Sequence, residues 1–382
     1  MGGPMNVTLL RGGHVYASEP HGRADVLLGF GRILQIGHVP VEPLRALGWD
    51  VQVIDLDGAI VAPGLIDPHQ HVTGAGGEHG FGSRMPEVTL RAIVMAGITT
   101  VVGLLGTDTT TRTLRGLHAK CAQLEEEGIT AYMYTGGFEL PPKTFTGSVL
   151  DDLVLIDRII GTGEISIADE RWIDPDPREL AFVVKSTTLG GQMSGKAGVT
   201  HFHVGDKPER LALLVSLLDD WDARPEALYA THITRSPALM DEAIALAHRG
   251  VFVDIDTVEE NFGECLTYYV ERGGPLGQLT VSSDAHTPGG HPSKLYRQLV
   301  SAVQEHGHPL ERVLPLFTAN PAAVLGLAHK GRLESGADAD VLVLDADTLA
   351  VTHLFGRGRH LVGDGELLEL SQQERAVTES ER

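Results

Sequence analysis

The chain has 382 residues, 51 acidic against 30 basic, for a formal net charge of −21, with 42% hydrophobic and 21% charged residues. This composition is globular, not disordered, and so acidic a surface argues against nucleic acid or an anionic membrane as a partner. The length suits one large domain with an appendage, or two domains; no apolar stretch is long enough to span a bilayer; and two cysteines, Cys121 and Cys265, give no disulfide framework, which fits a reducing cytoplasm.

The opening residues, MGGPMNVTLLRGG, lack the basic and apolar regions of a signal peptide. From residue 5 to 62, short Gly-punctuated apolar runs (NVTLLRGGHVYA, ADVLLGFGRILQIG, VQVIDLDGAIVAPG) predict β-strands. The same texture returns over 331–369, so the two ends are expected to pair into one small β domain. Between them, apolar runs such as GITTVVGLLG, ITAYMYTGG, GVTHFHVGD, ALYATHITR, VFVDIDTV and QLTVSSDAH alternate with helical segments such as TTRTLRGLHAKCAQLEEEG and ALMDEAIALAHRG. Such alternation over more than 250 residues predicts a parallel α/β fold, and a closed eight-fold barrel fits the length. The expected boundaries are a β domain from 1–62 and 330–370, a barrel over 63–329, and a polar tail over 371–382.

The reactive residues fall at the ends of the apolar runs. His69 and His71 close VAPGLIDPHQH, His203 closes VTHFHVGD, His232 closes LYATHITR, and Asp284 closes LTVSSDAH. Residues i and i+2 on a strand share a face, so His69 and His71 can point at one spot. Parallel barrels gather their active sites at this end of the strands, and four imidazoles with a carboxylate there suit a divalent cation such as zinc. His201 shares a face with His203 but lies two residues deeper, where a supporting or packing role is expected.

These segments, together with TTVVGLLGTD, TGSVLDDLVLIDRIIG and GLIDPHQHVTGAGGEHG, resemble the amidohydrolase superfamily and, within it, the isoaspartyl dipeptidases. The resemblance runs along most of the chain. It implies a distorted TIM barrel with a β-sandwich made from both chain ends. It implies two divalent metal ions per chain, zinc in our reading, one on His69 and His71 and the other on His203 and His232. Asp284 would bind the first ion and carry the proton between an activated water and the leaving amine. The implied partner is a small-molecule dipeptide, and the family suggests a homo-oligomer. Glu78 can pair with the ammonium of a β-aspartyl dipeptide. Arg171 and Arg235 match the family's substrate-binding arginines and suit its carboxylates. Gly76 and Thr107 match further substrate contacts, and Thr287 and His286 are candidates in the altered loop HTPGGHPSK.

Two departures stand out. The family's carboxylated lysine is absent from IIGTGEISIADER, where Glu164 is expected to bridge the metals, with one extra residue between Gly161 and Arg171. Phe138, in TGGFELPP, replaces a tyrosine that would help stabilise the oxyanion, and Tyr134 lies nearby. Two other readings stay open: an amidohydrolase for another N-acyl amino acid or a cyclic amide, dihydroorotase-like, and a metal-poor scaffold without activity.

Overall fold

The computed structural model describes residues 5–16 and 22–368; the expected polar tail and the last two residues of the expected β domain lie outside them. Five strands come first: β1 (Met5–Val15), β2 (Gly22–Gly29), β3 (Arg32–Gly37), β4 (Trp49–Asp55) and β5 (Ile60–Pro63). Eight follow in the middle of the chain: β6 (Leu65–Gln70), β7 (Ile98–Gly103), β8 (Thr130–Thr135), β9 (Ile159–Ile167), β10 (Val199–Val204), β11 (Leu228–Thr231), β12 (Phe252–Asp256) and β13 (Leu279–Ser282). The last are β14 (Val341–Leu344), β15 (Val351–Gly356), β16 (Arg359–Gly363) and β17 (Glu366–Leu367).

Strands β6 to β13 form one parallel sheet in sequential order. Strands β6 to β11 and β13 are buried along most of their length, the pattern of a parallel sheet covered on both faces. The sheet closes on itself at the mouth. Asp284 N–H donates to the His69 carbonyl at 3.1 Å, and His71 N–H donates to the Ala285 carbonyl. The expected barrel is therefore present, and its first and last strands are joined among the candidate site residues.

The covering helices begin at recognisable caps. Ser148, Asp176 and Ser236 each accept a backbone N–H in the first turn of the helices Val149–Leu155, Pro177–Ser194 and Pro237–His248, and Pro177 and Pro237 occupy first helical positions.

The two chain ends pair as expected: β14 runs antiparallel to β5, with Val341 opposite Pro63. They build a second, nine-stranded mixed sheet in which β1 carries β2 on one edge and, on the other, β4 then β5. Alternate residues of this sheet serve two cores. Leu10, Val26 and Ile33 pack with Val341, Val343 and Phe355, whereas Val7, Leu9 and Leu27 pack with Val39 and Val51. The period of two is the strand signature read from the sequence.

Candidate active site

Six side chains converge at the carboxyl ends of the barrel strands, the mouth of a parallel barrel. Glu164 lies at the centre. Its Oε1 is 3.6 Å from His71 Nε2, and its Oε2 is 3.1 Å from His203 Nδ1, 3.6 Å from His69 Nε2 and 4.0 Å from His232 Nε2. Asp284 Oδ1 lies 3.3 Å from His69 Nε2 and 3.2 Å from His71 Nε2. All six residues are buried. Among the described residues, His69–His71–Glu164, Glu164–His203–His232 and His69–His232–Asp284 each offer three ligand atoms within 4.8 Å of one another. Glu164 belongs to two of these sets.

The backbone takes unusual measures to aim these groups. A β-bulge interrupts β9: Thr162 pairs with Thr200 and Ile165 with Phe202, so three steps on β9 oppose two on β10. The bulge spans Gly163 and Glu164. A Cβ on Gly163, at φ +154°, would lie 2.7 Å from the His201 carbonyl, so only glycine fits. His232 and Asp284 adopt positive φ, 65° and 47°, as they leave β11 and β13, a left-handed conformation that is uncommon for non-glycine residues.

A further set of groups orients the imidazoles. His232 Nδ1–H donates to Asp256 at 2.8 Å, which leaves its Nε2 lone pair facing the cluster. His203 Nε2–H donates to Asp169 at 3.0 Å and presents Nδ1 to Glu164. His69 Nδ1 meets His201 Nε2 at 3.2 Å. Burial pushes the His201 imidazole down to about 3, so it stays neutral beneath the cluster. Burial alone would raise the Glu164 carboxyl, but His203, His69 and His71 outweigh it and hold that carboxyl well below the usual range. Sequence reasoning placed His201 in this supporting role but missed Asp169 and Asp256. Asp256 ends the apolar run VFVDID just as Asp284 follows LTVSS, and that position was its signal.

The donor set fits a divalent cation. His69 Nε2 and Asp284 Oδ1 are buried with no hydrogen-bond partner, although each lies within 3.3 Å of the other. Buried polar atoms are rarely left unpaired, and imidazole nitrogen with carboxylate oxygen is zinc-type ligation.

A cavity of about 350 Å³ opens over this cluster. Glu78, Gly76, Thr107, Arg171, Arg235 and Thr287 all line it, with His71, Glu164, His203, His232 and Asp284 at its floor. Thr107 Oγ1 donates to Glu78 at 2.6 Å; burial works against the Glu78 charge, but this bond and Arg171 keep its carboxyl below the ordinary value. Gly76 sits at φ +72° with the Ser83 carbonyl 2.7 Å from where a Cβ would be. The loop bearing Glu78 is held from behind by Arg112, a buried residue that sequence reasoning also missed. Its guanidinium donates to the carbonyls of Thr73, Ala75, Gly76 and Met85. Asp169 grips Arg171 through its backbone N–H, Nε and Nη2, at 2.8 to 2.9 Å. Arg235 donates to Asp206 at 2.9 Å.

Three residues of uncertain orientation in the sequence now have places. Phe138 is a cavity wall, its ring 5.0 Å from that of His203. Tyr134 is fully buried in the barrel and stacked on His201, and it does not line the cavity, so it cannot stand in for the missing phenol. His286, a candidate contact, turns away: its Nδ1 lies 3.3 Å from the Pro86 carbonyl and its ring stacks on His291.

A sequence profile of the amidohydrolase family matches residues 289–362, the last helices of the barrel and strands β14, β15 and most of β16 of the nine-stranded sheet. The crystal structure of a beta-aspartyl dipeptidase from Fervidobacterium islandicum AW-1, in complex with β-Asp-Leu dipeptide, superposes with a TM-score of 0.90 at 34% identity, covering 96% of this chain and 99% of that one. The chain belongs to the beta-aspartyl dipeptidase family of amidohydrolases. Sequence relatives of this amidohydrolase also include an adenine deaminase 2 of Rhizobium meliloti, 24% identical over 94% of the chain, and an allantoinase of Deinococcus radiodurans, 26% identical over 91% of the chain. The chain spans 60% of the length of that deaminase and 89% of that allantoinase. Among the described residues, no helix of this family member is long and apolar enough to cross a membrane.

Proposed function

We propose that this amidohydrolase is a zinc-dependent dipeptidase that cleaves the amide between the β-carboxyl of an aspartyl residue and the next amino acid. The carrying observation is a single cavity that sets Glu78, Arg171 and Arg235 above the Glu164 cluster. One acid and two arginines match the one ammonium and two carboxylates of a β-aspartyl dipeptide. Each charge-assisted bond is worth about 1.5–3 kcal/mol. A neutral cyclic amide such as allantoin would leave these charges largely unanswered.

In this reading His69, His71 and Asp284 would hold one ion, His203 and His232 the other, and Glu164 would bridge them. Bound metal would supply Lewis acidity and lower the pKa of water. The chain's own residues do the rest. Glu78, tethered by Thr107, orients the substrate by its ammonium. Arg171, fixed by Asp169, and Arg235 take the carboxylates. The Asp284 carboxylate accepts a proton from the attacking water and returns it to the leaving nitrogen, so the amine departs neutral. Phe138 offers no donor to the developing oxyanion, whose charge bound metal would have to help offset.

The proposal extends to a cytoplasmic setting, with which the free thiols of Cys121 and Cys265 agree. It extends also to a homo-oligomer, for which Phe182, Leu189 and Met193 offer an exposed apolar stripe on Pro177–Ser194. The test of function is a substrate panel with zinc-loaded protein: β-Asp-Leu, dihydroorotate, allantoin and adenine. Turnover of β-Asp-Leu well above the other three supports the reading; preference for any of the others replaces it.

A further inference from the structure

Beside the main cavity lies a second space of about 290 Å³, lined by Glu78, Thr107, Phe138, Glu139, Arg171 and Trp172. Four of these walls, Glu78, Thr107, Phe138 and Arg171, are shared with the main cavity, so the second space is an annex of it. Its own contributions are Glu139 and Trp172. None of the six clustered His, Glu and Asp residues lines the annex.

Its aromatic wall is already held in place. Phe138 is 3% exposed, edge-on to His203, with the Arg171 guanidinium 5.0 Å from its ring centroid. Arg171 is in turn locked by Asp169. The Trp172 backbone is pinned at both ends: its N–H donates to the Asp169 carbonyl at 3.2 Å, and its carbonyl accepts from Lys207 Nζ at 3.0 Å. Yet its side chain is left open, the residue being 45% exposed. An ordered backbone presenting an uncovered indole beside a buried phenyl is an apolar surface awaiting a flat apolar group. Two carboxylates also line the annex. Glu139 accepts from Thr109 at 2.7 Å and pairs with Lys143 at 3.3 Å, and Glu78 carries its charge alongside.

We infer that the annex selects the side chain of the residue released as the free amine, favouring aromatic and other bulky apolar side chains and rejecting acidic ones. The inference rests on the dipeptidase reading. There Arg171, at the junction of the two spaces, takes the carboxylate of the departing residue, and that residue's side chain then faces Phe138 and Trp172. Partial burial of an aromatic ring against this wall corresponds to roughly tenfold in kcat/KM over a residue with no side chain. An acidic side chain would meet Glu78 and Glu139 as like charges and fall below that reference.

The test is a competition among β-Asp-Phe, β-Asp-Leu, β-Asp-Gly and β-Asp-Glu on the zinc-loaded enzyme, repeated with Trp172→Ala and Glu139→Gln. The expected order is Phe above Leu above Gly above Glu. The Phe:Gly ratio should be about ten and fall toward one in Trp172→Ala, and the Glu:Gly ratio should rise in Glu139→Gln. Equal rates for all four dipeptides, or a Phe:Gly ratio that Trp172→Ala leaves unchanged, would overturn the annex as a specificity site while leaving the dipeptidase intact. Absence of hydrolysis of all four by metal-replete protein would overturn the dipeptidase reading and the annex with it.

Discussion

Replacing Glu164 by Gln keeps the size of the side chain and removes its charge, at a position 4% exposed and 3.1 to 4.0 Å from four imidazole nitrogens. If this carboxylate bridges two cations, its loss leaves two divalent charges facing each other across a neutral amide. A unit charge pair at 4 Å interacts by about 4 kcal/mol at an effective dielectric constant of 20, and breaking a buried pair by removing one partner costs about 3–5 kcal/mol. At about 1.4 kcal/mol per factor of ten, zinc should be held at least 100-fold more weakly at one position. The assay is dialysis against a zinc-buffered solution followed by elemental analysis, with circular dichroism as the check on folding. The native protein should hold two ions per chain, without need of bicarbonate, because a glutamate is already ionised where a lysine would first have to be carboxylated. The Glu164→Gln protein should hold one or none and lose most activity. Two tightly held ions per chain in the folded variant would show that Glu164 is not the bridge.

Asp284→Asn should retain fold and substrate binding but lose about 10²–10⁴ in kcat, the usual worth of a positioned acid–base group; near-native turnover with full metal content would remove Asp284 from proton transfer. Glu78→Gln should raise KM for β-Asp-Leu at least about tenfold while changing that for succinyl-leucine, which lacks the α-amino group, far less; equal losses on both substrates would assign Glu78 some other task. Asp169→Asn frees Arg171 and the outer nitrogen of His203 together, so it should weaken zinc retention about 10–100-fold and raise KM at once, and no change in either would refute its positioning role. In the nine-stranded sheet, burial and the neighbouring His353 push His360 down to about 4. The folded imidazole thus resists a proton that the unfolded one accepts near 6.5, so stability is full above that pH and is lost as pH falls toward about 4. Thermal midpoints should decline over this window and flatten in His360→Gln; an identical pH slope in the variant would rule this residue out as the cause.

The barrel was legible because each strand is a short apolar run with a turn signal, and because chemistry-bearing residues punctuate the ends of those runs. Period-two spacing placed His69 and His71, and the depth of His201 in its strand placed it beneath them. The bulge at Gly163 was not legible, since nothing local to GTGEIS says which residue is squeezed out of register. Asp169 and Asp256 act through pairs 34 and 24 residues distant, and Arg112 through carbonyls 27 to 39 residues away; such partners are set by the closing of the barrel and leave no mark in the local pattern. The reach of His286 was misjudged for the same reason, because a loop residue's direction depends on what the loop packs against, here His291 and the Pro86 carbonyl. Phe138 was visible as an anomaly, but its place with Trp172 in the lining of one cavity was not, because the two lie 34 residues apart in sequence.

The central claim is that the cavity recognises a β-linked aspartyl residue by its free ammonium and carboxylate. β-Asp-Leu and α-Asp-Leu have the same atoms and the same charges, and differ only in which carboxyl forms the amide. Chromatographic measurement of free aspartate released from each isomer by zinc-loaded protein tests the claim directly. The account predicts rapid release from β-Asp-Leu and at least 100-fold slower release from α-Asp-Leu, whose carboxylate and scissile carbonyl exchange places relative to Glu78, Arg171 and Asp284. Equal release from the two isomers, or none from the β-linked one by protein with its full metal content, would contradict it.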